Sequence, residues 1–288
     1  MCYDIANETS KWMDGERNFR LFRIMSDRLR KIQSLVRALG PVPAASVWIR
    51  RALRIKSAVL LNAGDVRIRL RPCDSDPFVA LQVFGDCEYD LGPVRTRTLR
   101  ELAETWRVQG QEPVIVDAGA NVGYSALYLA GAFPNTTVLA IEPDENTFQE
   151  LQRNCAGVAS IRPIHAALWS HEEGVRLQRD ARLKSWATSV CEGGVTPSIR
   201  LDTLMDCVPN SRPLILKFDI EGAEREVIAA AARIVRDAAC IVIEPHDLLQ
   251  PGRGCMSPLL QALAGKRMDT TVLGENLAFF ESDLLGWV

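Results

Sequence analysis

Apolar and polar positions follow two regular patterns along this chain of 288 residues. Short runs of branched apolar residues, such as Val114 to Val116, are typical of buried parallel strands. Elsewhere apolar residues recur at spacings of three and four, which predicts amphipathic helices. The patterns alternate from residue 113 onward, so we expect an α/β fold with a doubly wound, mainly parallel sheet and helices on both faces. Thr270–Leu273 and Leu277–Glu281 predict an antiparallel pair near the end.

The first sixty residues are patterned differently. Apolar residues from Phe22 to Leu39 predict a helix over about 18–39, and a shorter helix is predicted over 44–54. This region carries twelve Lys and Arg against five acids. Its basic amphipathic helix could pack on its own chain, form the seam of a homodimer or lie on a membrane surface. Packing on its own chain is the first expectation.

A hairpin pattern separates this region from the main sheet. Residues 57–72 alternate around the turn signal Asn62–Asp65, and a helix over about 96–109 leads into the first buried strand. The chain therefore divides into an N-terminal helical extension (1–60), a segment of hairpin and helices (61–112) and the main domain (113–288).

Composition narrows the classes of protein. An apolar content of 47% and a charged content of 24% are ordinary for a globular protein, and a net charge of −2 argues against a general nucleic-acid binder. Eight cysteines without a C-x-x-C pair favour reduced thiols. We read no signal peptide and no apolar stretch of about 18 residues, so we expect no transmembrane segment and a cytoplasmic protein.

The loop after the first buried strand is the main candidate for ligand binding. It runs from Asp117 through Gly119, Asn121 and Gly123 into a helix near Tyr124. Glycines let backbone N–H groups approach a ligand at such a turn. The spacing departs from the G-x-G-x-x-G of dinucleotide-binding dehydrogenases, so a nicotinamide-dependent oxidoreductase ranks low.

Glu142 ends the next buried strand, nineteen residues beyond Gly123. An acid at this place can accept hydrogen bonds from ribose hydroxyls. The alternative is an acid that favours the start of the next helix, but Asp144 or Asn146 could cap that helix equally well. We therefore favour the ribose role.

Five motifs in this order resemble those of FkbM-type methyltransferases, a family of class I S-adenosylmethionine (SAM)-dependent enzymes. They are DAGANVGYS (117–125), IEP (141–143), LDTL (201–204), LKFDIEGAE (216–224) and IEPH (243–246). The resemblance covers about residues 66–281. It implies a seven-stranded Rossmann-like sheet, with residues 113–288 as the SAM-binding domain and 61–112 as part of the catalytic unit.

The resemblance also implies roles for particular residues. It implies O-methylation of a hydroxyl on a sugar, polyketide-type natural product or other small metabolite, but no particular acceptor. Ala166, at the end of the predicted third strand (160–167), would leave space for the adenine. The remaining implied SAM contacts are Asp117, Gly119, Asn121, Gly123 and Glu142.

An alcohol acceptor benefits from a base or a metal, and candidates should lie at the carboxyl ends of the predicted fourth (214–219) and fifth (239–244) strands. We predict His246 as base and Asp219 as the group that orients it or binds the acceptor. Glu221 is a further candidate, although an acid there also favours a helix start. A magnesium ion on Asp219, Glu221 and Glu244 is a less favoured alternative. A non-catalytic interaction protein with a SAM-type fold remains the non-enzyme alternative.

Overall fold

A computed structural model describes residues 29–179, 188–247 and 251–287, with the backbone alone at 178–179 and 188–190. The predicted helix over 18–39 therefore lies partly outside the described residues. Ahead of the main sheet the elements are α1 (29–39), α2 (Pro41–Ala52), β1 (Val59–Ala63), β2 (Val66–Leu70), α3 (Asp76–Ala80), a π-helical turn (Leu81–Gly85) and α4 (Pro93–Val108).

The second part of the chain alternates strand and helix, as the sequence predicts. In order, its elements are β3 (Glu112–Ala118), α5 (Tyr124–Ala132), β4 (Thr137–Glu142), α6 (Glu145–Cys155), β5 (Ile161–His165), β6 (Ala167–Leu168), β7 (Val175–Arg179), β8 (Thr188–Glu192), β9 (Ser198–Ile199), α7 (Leu201–Asp206), β10 (Ser211–Phe218), α8 (Glu224–Ala230), α9 (Ala232–Asp237), β11 (Cys240–Ile243), α10 (Ser257–Ala262), β12 (Met268–Leu273) and β13 (Asn276–Glu281).

Seven strands form one sheet in the order β12-β13-β11-β10-β3-β4-β5. The strands from β11 to β5 pair in parallel, while β13 pairs antiparallel with both β11 and β12. The strand order changes direction between β3 and β10. From β3 the chain first adds β4 and β5 on one side, and it then adds β10 and β11 on the other side of β3. In open α/β sheets, ligands bind at such a switch point, outside the carboxyl ends of the strands.

Both faces of the sheet are buried, which explains the unbroken apolar runs of the central strands. Val114, Val116 and Leu216 face one core cluster together with α7, α8 and α10. Ile115 and Phe280 face the other, which also contains residues of α1, α2, the β1–β2 hairpin and α4–α6. The N-terminal segments therefore complete the core on one face of the sheet. Within the described residues, no helix is both long and apolar enough to cross a membrane.

The described part of the N-terminal helix packs on its own chain. Leu35 and Leu39 are buried in the core, whereas Leu29 and Ile32 are exposed. The predicted β1–β2 hairpin is also present, with Ala63 paired to Val66 across its turn. A homodimer seam and a membrane surface, as further contacts of this helix, stay predictions.

Candidate active site

The glycine loop, which runs from Gly119 to Gly123, lies between the ends of β4 and β10. Gly119 and Ala120 donate backbone hydrogen bonds of 3.1 and 2.9 Å to the carbonyl of Ile141. Gly119 has a φ of +79°, and a Cβ there would lie 1.8 Å from the carbonyl oxygen of Asp219. Glycine is therefore required at this position both by backbone conformation and by the close approach of Asp219, which directly follows β10.

The last glycine of the loop serves packing. Gly123 has a φ of +89°, and a Cβ there would lie 2.7 Å from Leu151 and 2.9 Å from Cys155, both on α6. Asn121 also adopts a left-handed conformation, with φ at +49°. Its Oδ1 is buried without a hydrogen-bond partner among the described residues. An unpaired buried acceptor in this loop is suited to a donor supplied by a ligand.

Asp117 is fully enclosed beneath the loop. Ser125 donates a hydrogen bond of 2.6 Å to one carboxylate oxygen, and Lys217 Nζ lies 2.8 Å from the other. Lys217 also donates to the carbonyl of Gly119 at 2.9 Å, and its Nζ lies 3.8 Å from Asp219. Burial by itself lowers the pKa of Lys217, but the nearby Asp117, Tyr89 and Asp219 outweigh burial and hold that pKa well above its usual range.

The role of Lys217 was missed at the level of sequence, where this residue appears only within the LKFDIEGAE motif. Lys217 and Asp117 are direct register partners on the adjacent strands β10 and β3. A lysine inside an otherwise apolar strand requires an anion nearby, and this was the available signal. The pairing of Lys217 with Asp117 could not be predicted, because it depends on β10 becoming the neighbour of β3 in the sheet.

Glu142 faces the loop from the tip of β4. Its two carboxylate oxygens accept backbone hydrogen bonds from Asn121 at 3.1 Å and from Asp144 at 2.9 Å. Burial raises the pKa of Glu142 to about 7, more than these hydrogen bonds lower it. Asp144 caps α6 by accepting a hydrogen bond of 3.1 Å from Thr147 N. Asp144, rather than Glu142, therefore caps this helix.

The predicted adenine position follows β5. Ala166 is buried. The preceding His165 stacks on Phe148 with ring centroids 4.9 Å apart, and its Nε2 lies 3.1 Å from the carbonyl oxygen of Pro143. His165 is thus a packed residue beside the loop that follows Glu142.

A second group of polar side chains lies at the ends of β10 and β11. Ligating atoms of Asp219, Glu221 and His246 all lie within 4.8 Å of one another. His246 is buried, while the side chains of Asp219 and Glu221 are partly exposed. Glu221 has a φ of +54°, an unfavourable conformation for a residue other than glycine. The structure therefore brings the three predicted catalytic residues together.

His246 is surrounded by carboxylates. Its Nδ1 lies 2.9 Å from Glu224, and its Nε2 lies 3.5 Å from Glu221 and 3.8 Å from Glu244. Burial by itself lowers the pKa of His246, but Glu221 and Glu224 outweigh it and raise that pKa to about 11. A base must be unprotonated, so this environment disfavours the predicted role of His246 as a general base at neutral pH.

The two groups form one site. Asp219 N donates to the carbonyl of Ala118 at 3.1 Å, and Lys217 reaches toward both Asp117 and Asp219. Glu88, from the segment ahead of the main domain, also borders the site. Burial, with Glu275 and Asp219 nearby, raises the pKa of Glu88 to about 7. Glu88 was not among the site residues predicted from sequence.

This strand order, with its single antiparallel strand inserted near one edge, together with the glycine loop and the acid at the end of β4, defines a Rossmann-like fold of the class I methyltransferase type. The model of the methyltransferase FkbM domain matches residues 117–263, just over half of the chain. The chain therefore belongs to the FkbM methyltransferase family, which confirms the resemblance seen in its motifs.

Relatives with curated names are also methyltransferases. Methyltransferase sdnD of Sordaria araneosa is 29% identical over 212 residues, with 59% of this chain and 76% of the relative covered. Hexuronic acid methyltransferase AglP of Haloferax volcanii is 22% identical, with 54% and 71% covered. Among solved structures, Aeropyrum pernix fibrillarin with natively bound SAM has a TM-score of 0.35 at 11% identity, covering 60% of this chain and 66% of fibrillarin. A likeness at that TM-score carries no functional argument.

Proposed function

We propose that the protein transfers a methyl group from SAM to a hydroxyl of a small metabolite, sugar or polyketide-type natural product. The observation that carries the proposal is the buried Glu142 carboxylate, held against the backbone of Asn121 in the glycine loop. A carboxylate at the tip of the second strand of such a sheet suits the two hydroxyls of a ribose.

The surrounding residues fit an adenosyl ligand. The unpaired Asn121 Oδ1 offers an acceptor, and Gly119 keeps the chain free of a side chain where it crosses β10. Buried Ala166 stays the proposed neighbour of the adenine. SAM brings a methyl group that is already activated by its positive sulfur, so the protein has mainly to align the acceptor with that methyl.

Asp117 acts from beneath the loop in this proposal. Its carboxylate is 0% exposed and pairs with Lys217 and Ser125. We therefore assign it to holding Lys217, which fixes the carbonyl of Gly119, rather than to direct contact with the ligand. Gly123 likewise shapes the loop through its contact with α6.

Asp219, Glu221 and His246 form the proposed acceptor site. They lie at the ends of β10 and β11, next to the loop that would hold SAM, and the two carboxylates are accessible from the crevice. Oxygen acceptors bearing several hydroxyls suit such hydrogen-bond acceptors. The relative named as a hexuronic acid methyltransferase adds support for a sugar as acceptor. A cytoplasmic location, a homodimer and the absence of a nucleic-acid partner stay predictions.

Calorimetry with SAM tests the cofactor assignment. Glu142→Ala should weaken SAM binding at least about tenfold, because it removes a carboxylate worth more than 1.4 kcal/mol in charge-assisted hydrogen bonds. Gly119→Ala should also weaken binding, because the loop must move away from Asp219. Gly131→Ala in α5 is the matched control, since a Cβ there meets nothing within 4 Å.

Wild-type affinity in Glu142→Ala would refute the ribose assignment. The acceptor class is tested by incubating the protein with labelled SAM and a panel of sugars, uronic acids and polyketides. Label appearing as an acid-stable methyl ether supports O-methylation, and label on nitrogen or carbon contradicts it.

A further inference from the structure

Three potential ligands converge from two neighbouring strands. Asp219 directly follows β10, Glu221 lies two residues farther on, and His246 follows β11. The carboxyl ends of these parallel strands meet at one edge of the sheet, so the side chains approach from two directions. One ligating atom from each lies within 4.8 Å of the other two.

His246 directs its Nε2 toward this group. Its side chain is only 2% exposed, yet the carboxylate oxygens of Glu221 and Glu244 lie 3.5 and 3.8 Å from Nε2. These separations are at or beyond the limit of a hydrogen bond between nitrogen and oxygen. A nearly enclosed imidazole thus directs Nε2 at the carboxylates of Glu221 and Glu244, which is an arrangement that a metal ion completes.

The other ring nitrogen faces a second carboxylate. Nδ1 lies 2.9 Å from Oε1 of Glu224, whose side chain is 1% exposed. A cation at Nε2 would replace the proton on that nitrogen, while the proton on Nδ1 would stay directed at Glu224. A carboxylate behind a histidine orients the metal-binding histidines of many proteins in this way.

The charge around Nε2 also favours a cation. Asp219, Glu221 and Glu244 are all carboxylates, and the nearest buried ammonium, on Lys217, lies 3.8 Å from Asp219 but 2.8 Å from Asp117. Lys217 is therefore committed mainly to Asp117. Protonated His246 is the remaining counterion of these carboxylates, and a divalent cation at Nε2 would bring one more positive charge than the proton it replaces.

We propose that Asp219, Glu221 and His246 bind a divalent cation of the first transition row, such as Mn²⁺. One imidazole and two carboxylates suit such an ion better than Mg²⁺, which prefers oxygen alone. Ligand atoms on one ion lie at most about 4.2 Å apart, so the cluster must tighten slightly. The side chains of Asp219 and Glu221 are 28% and 24% exposed and have room to rotate inward.

The cation deepens the proposed function and rests on it. A bound divalent ion lowers the pKa of a hydroxyl that reaches it, which is the activation that an alcohol acceptor needs. Glu244 borders the same position and is placed to take the hydroxyl proton. His246 is then a ligand of the cation rather than the base.

Titration of the full chain with MnCl₂ alone, followed by electron paramagnetic resonance of free Mn²⁺, tests the site without SAM or acceptor. The wild type should bind one equivalent. Glu221→Gln and His246→Gln should each weaken binding at least about 100-fold, and Glu224→Gln by about 10- to 100-fold through loss of the histidine orientation. Circular dichroism checks that each variant is folded.

Glu275→Gln is the matched control. It removes one negative charge that acts on Glu88 and Glu244 from an exposed position outside the cluster. Its affinity for Mn²⁺ should stay within about threefold of the wild type, since a screened surface charge contributes little. Absence of a one-equivalent site in the wild type, or equal losses in Glu221→Gln and Glu275→Gln, would overturn the proposal.

Calorimetry with SAM on the same preparations separates the two hypotheses. Retained SAM binding without Mn²⁺ binding overturns the cation site alone. Mn²⁺ binding without SAM binding supports the cation site and refutes the proposed cofactor.

Discussion

At the scale of single residues, the site is built from charges that are buried before any ligand arrives. Asp117 and Lys217 neutralise each other at adjacent positions of β3 and β10, and Lys217 also holds the carbonyl of Gly119. A buried ion pair of this kind adds little net stability, but removing one partner is costly. The ion pair instead fixes the position of the glycine loop, because it joins this loop to the strand that leads into Asp219.

Lys217→Met should lower the free energy of unfolding by about 3–5 kcal/mol, since it leaves the Asp117 carboxylate buried without its cation. Urea denaturation measures the loss. The double variant Asp117→Asn/Lys217→Met removes both charges and should recover a large part of it. A double variant that is no more stable than Lys217→Met would show that the ion pair is not the source of the effect.

Glu142 makes stability depend on pH in a predictable direction. Burial raises its pKa from 4.5 to about 7 in the folded protein. Between these values the folded state binds more protons than the unfolded state, so the contribution of this group is fully present below about pH 4.5 and is lost as pH rises through 7. An ionised Glu142 therefore destabilises the fold at pH 8.

Glu142→Gln removes this dependence, because the amide does not titrate. Relative to the wild type, the variant should gain up to about 3 kcal/mol of unfolding free energy between pH 5 and pH 8. Urea denaturation across that range measures the difference. Parallel curves for the two proteins would contradict the raised pKa.

At the scale of elements, α6 fastens the β1–β2 hairpin to the glycine loop. Asn154 accepts from Arg69 N of β2 at 2.7 Å and donates to the carbonyl of Val122 in the loop at 2.8 Å. Tyr124, at the start of α5, donates to the carbonyl of Arg69 at 2.8 Å. Glu150 adds an ion pair with Arg69. The hairpin is thus connected to the loop that we assign to SAM.

Asn154→Ala should cost about 1–3 kcal/mol of unfolding free energy, because it removes the hydrogen bonds of Asn154 to the partly buried Arg69 N–H and to the buried Val122 carbonyl. Hydrogen exchange should speed up at Arg69. Asn146→Ala, at an exposed position of the same helix, is the matched control and should change neither quantity. Unchanged exchange at Arg69 in the first variant would show that the hairpin is held elsewhere.

The sequence predicted the elements better than their contacts, for physical reasons. Strand ends and the glycine loop are local patterns, so Asp117, Gly119, Glu142 and Asp219 could be placed at one edge of the sheet. The environment of His246 depends on Glu224, which reaches it from the start of α8. Such contacts arise from tertiary packing, and a periodic pattern contains no information about them.

At the scale of the whole molecule, the N-terminal helices belong to the same core as the sheet. Leu35 of α1 is 0% exposed and lies in the cluster that contains Ile115 of β3 and Phe280 of β13. The division at residue 60 predicted from sequence therefore separates segments that share one buried core. Since a shared core couples the stability of its parts, we expect these segments to unfold with the sheet.

Leu35→Ala tests this coupling, because it should lower the stability of the entire domain by about 2–5 kcal/mol through lost burial and the cavity left behind. Far-ultraviolet circular dichroism follows all helices, while tryptophan fluorescence follows local surroundings such as those of Trp48 on α2. The two probes should report one coincident transition at lower urea than in the wild type. Leu53→Ala, at a position 67% exposed, should leave that transition unchanged. An early fluorescence transition ahead of the loss of helix would instead mean that the N-terminal helices unfold independently of the site they adjoin.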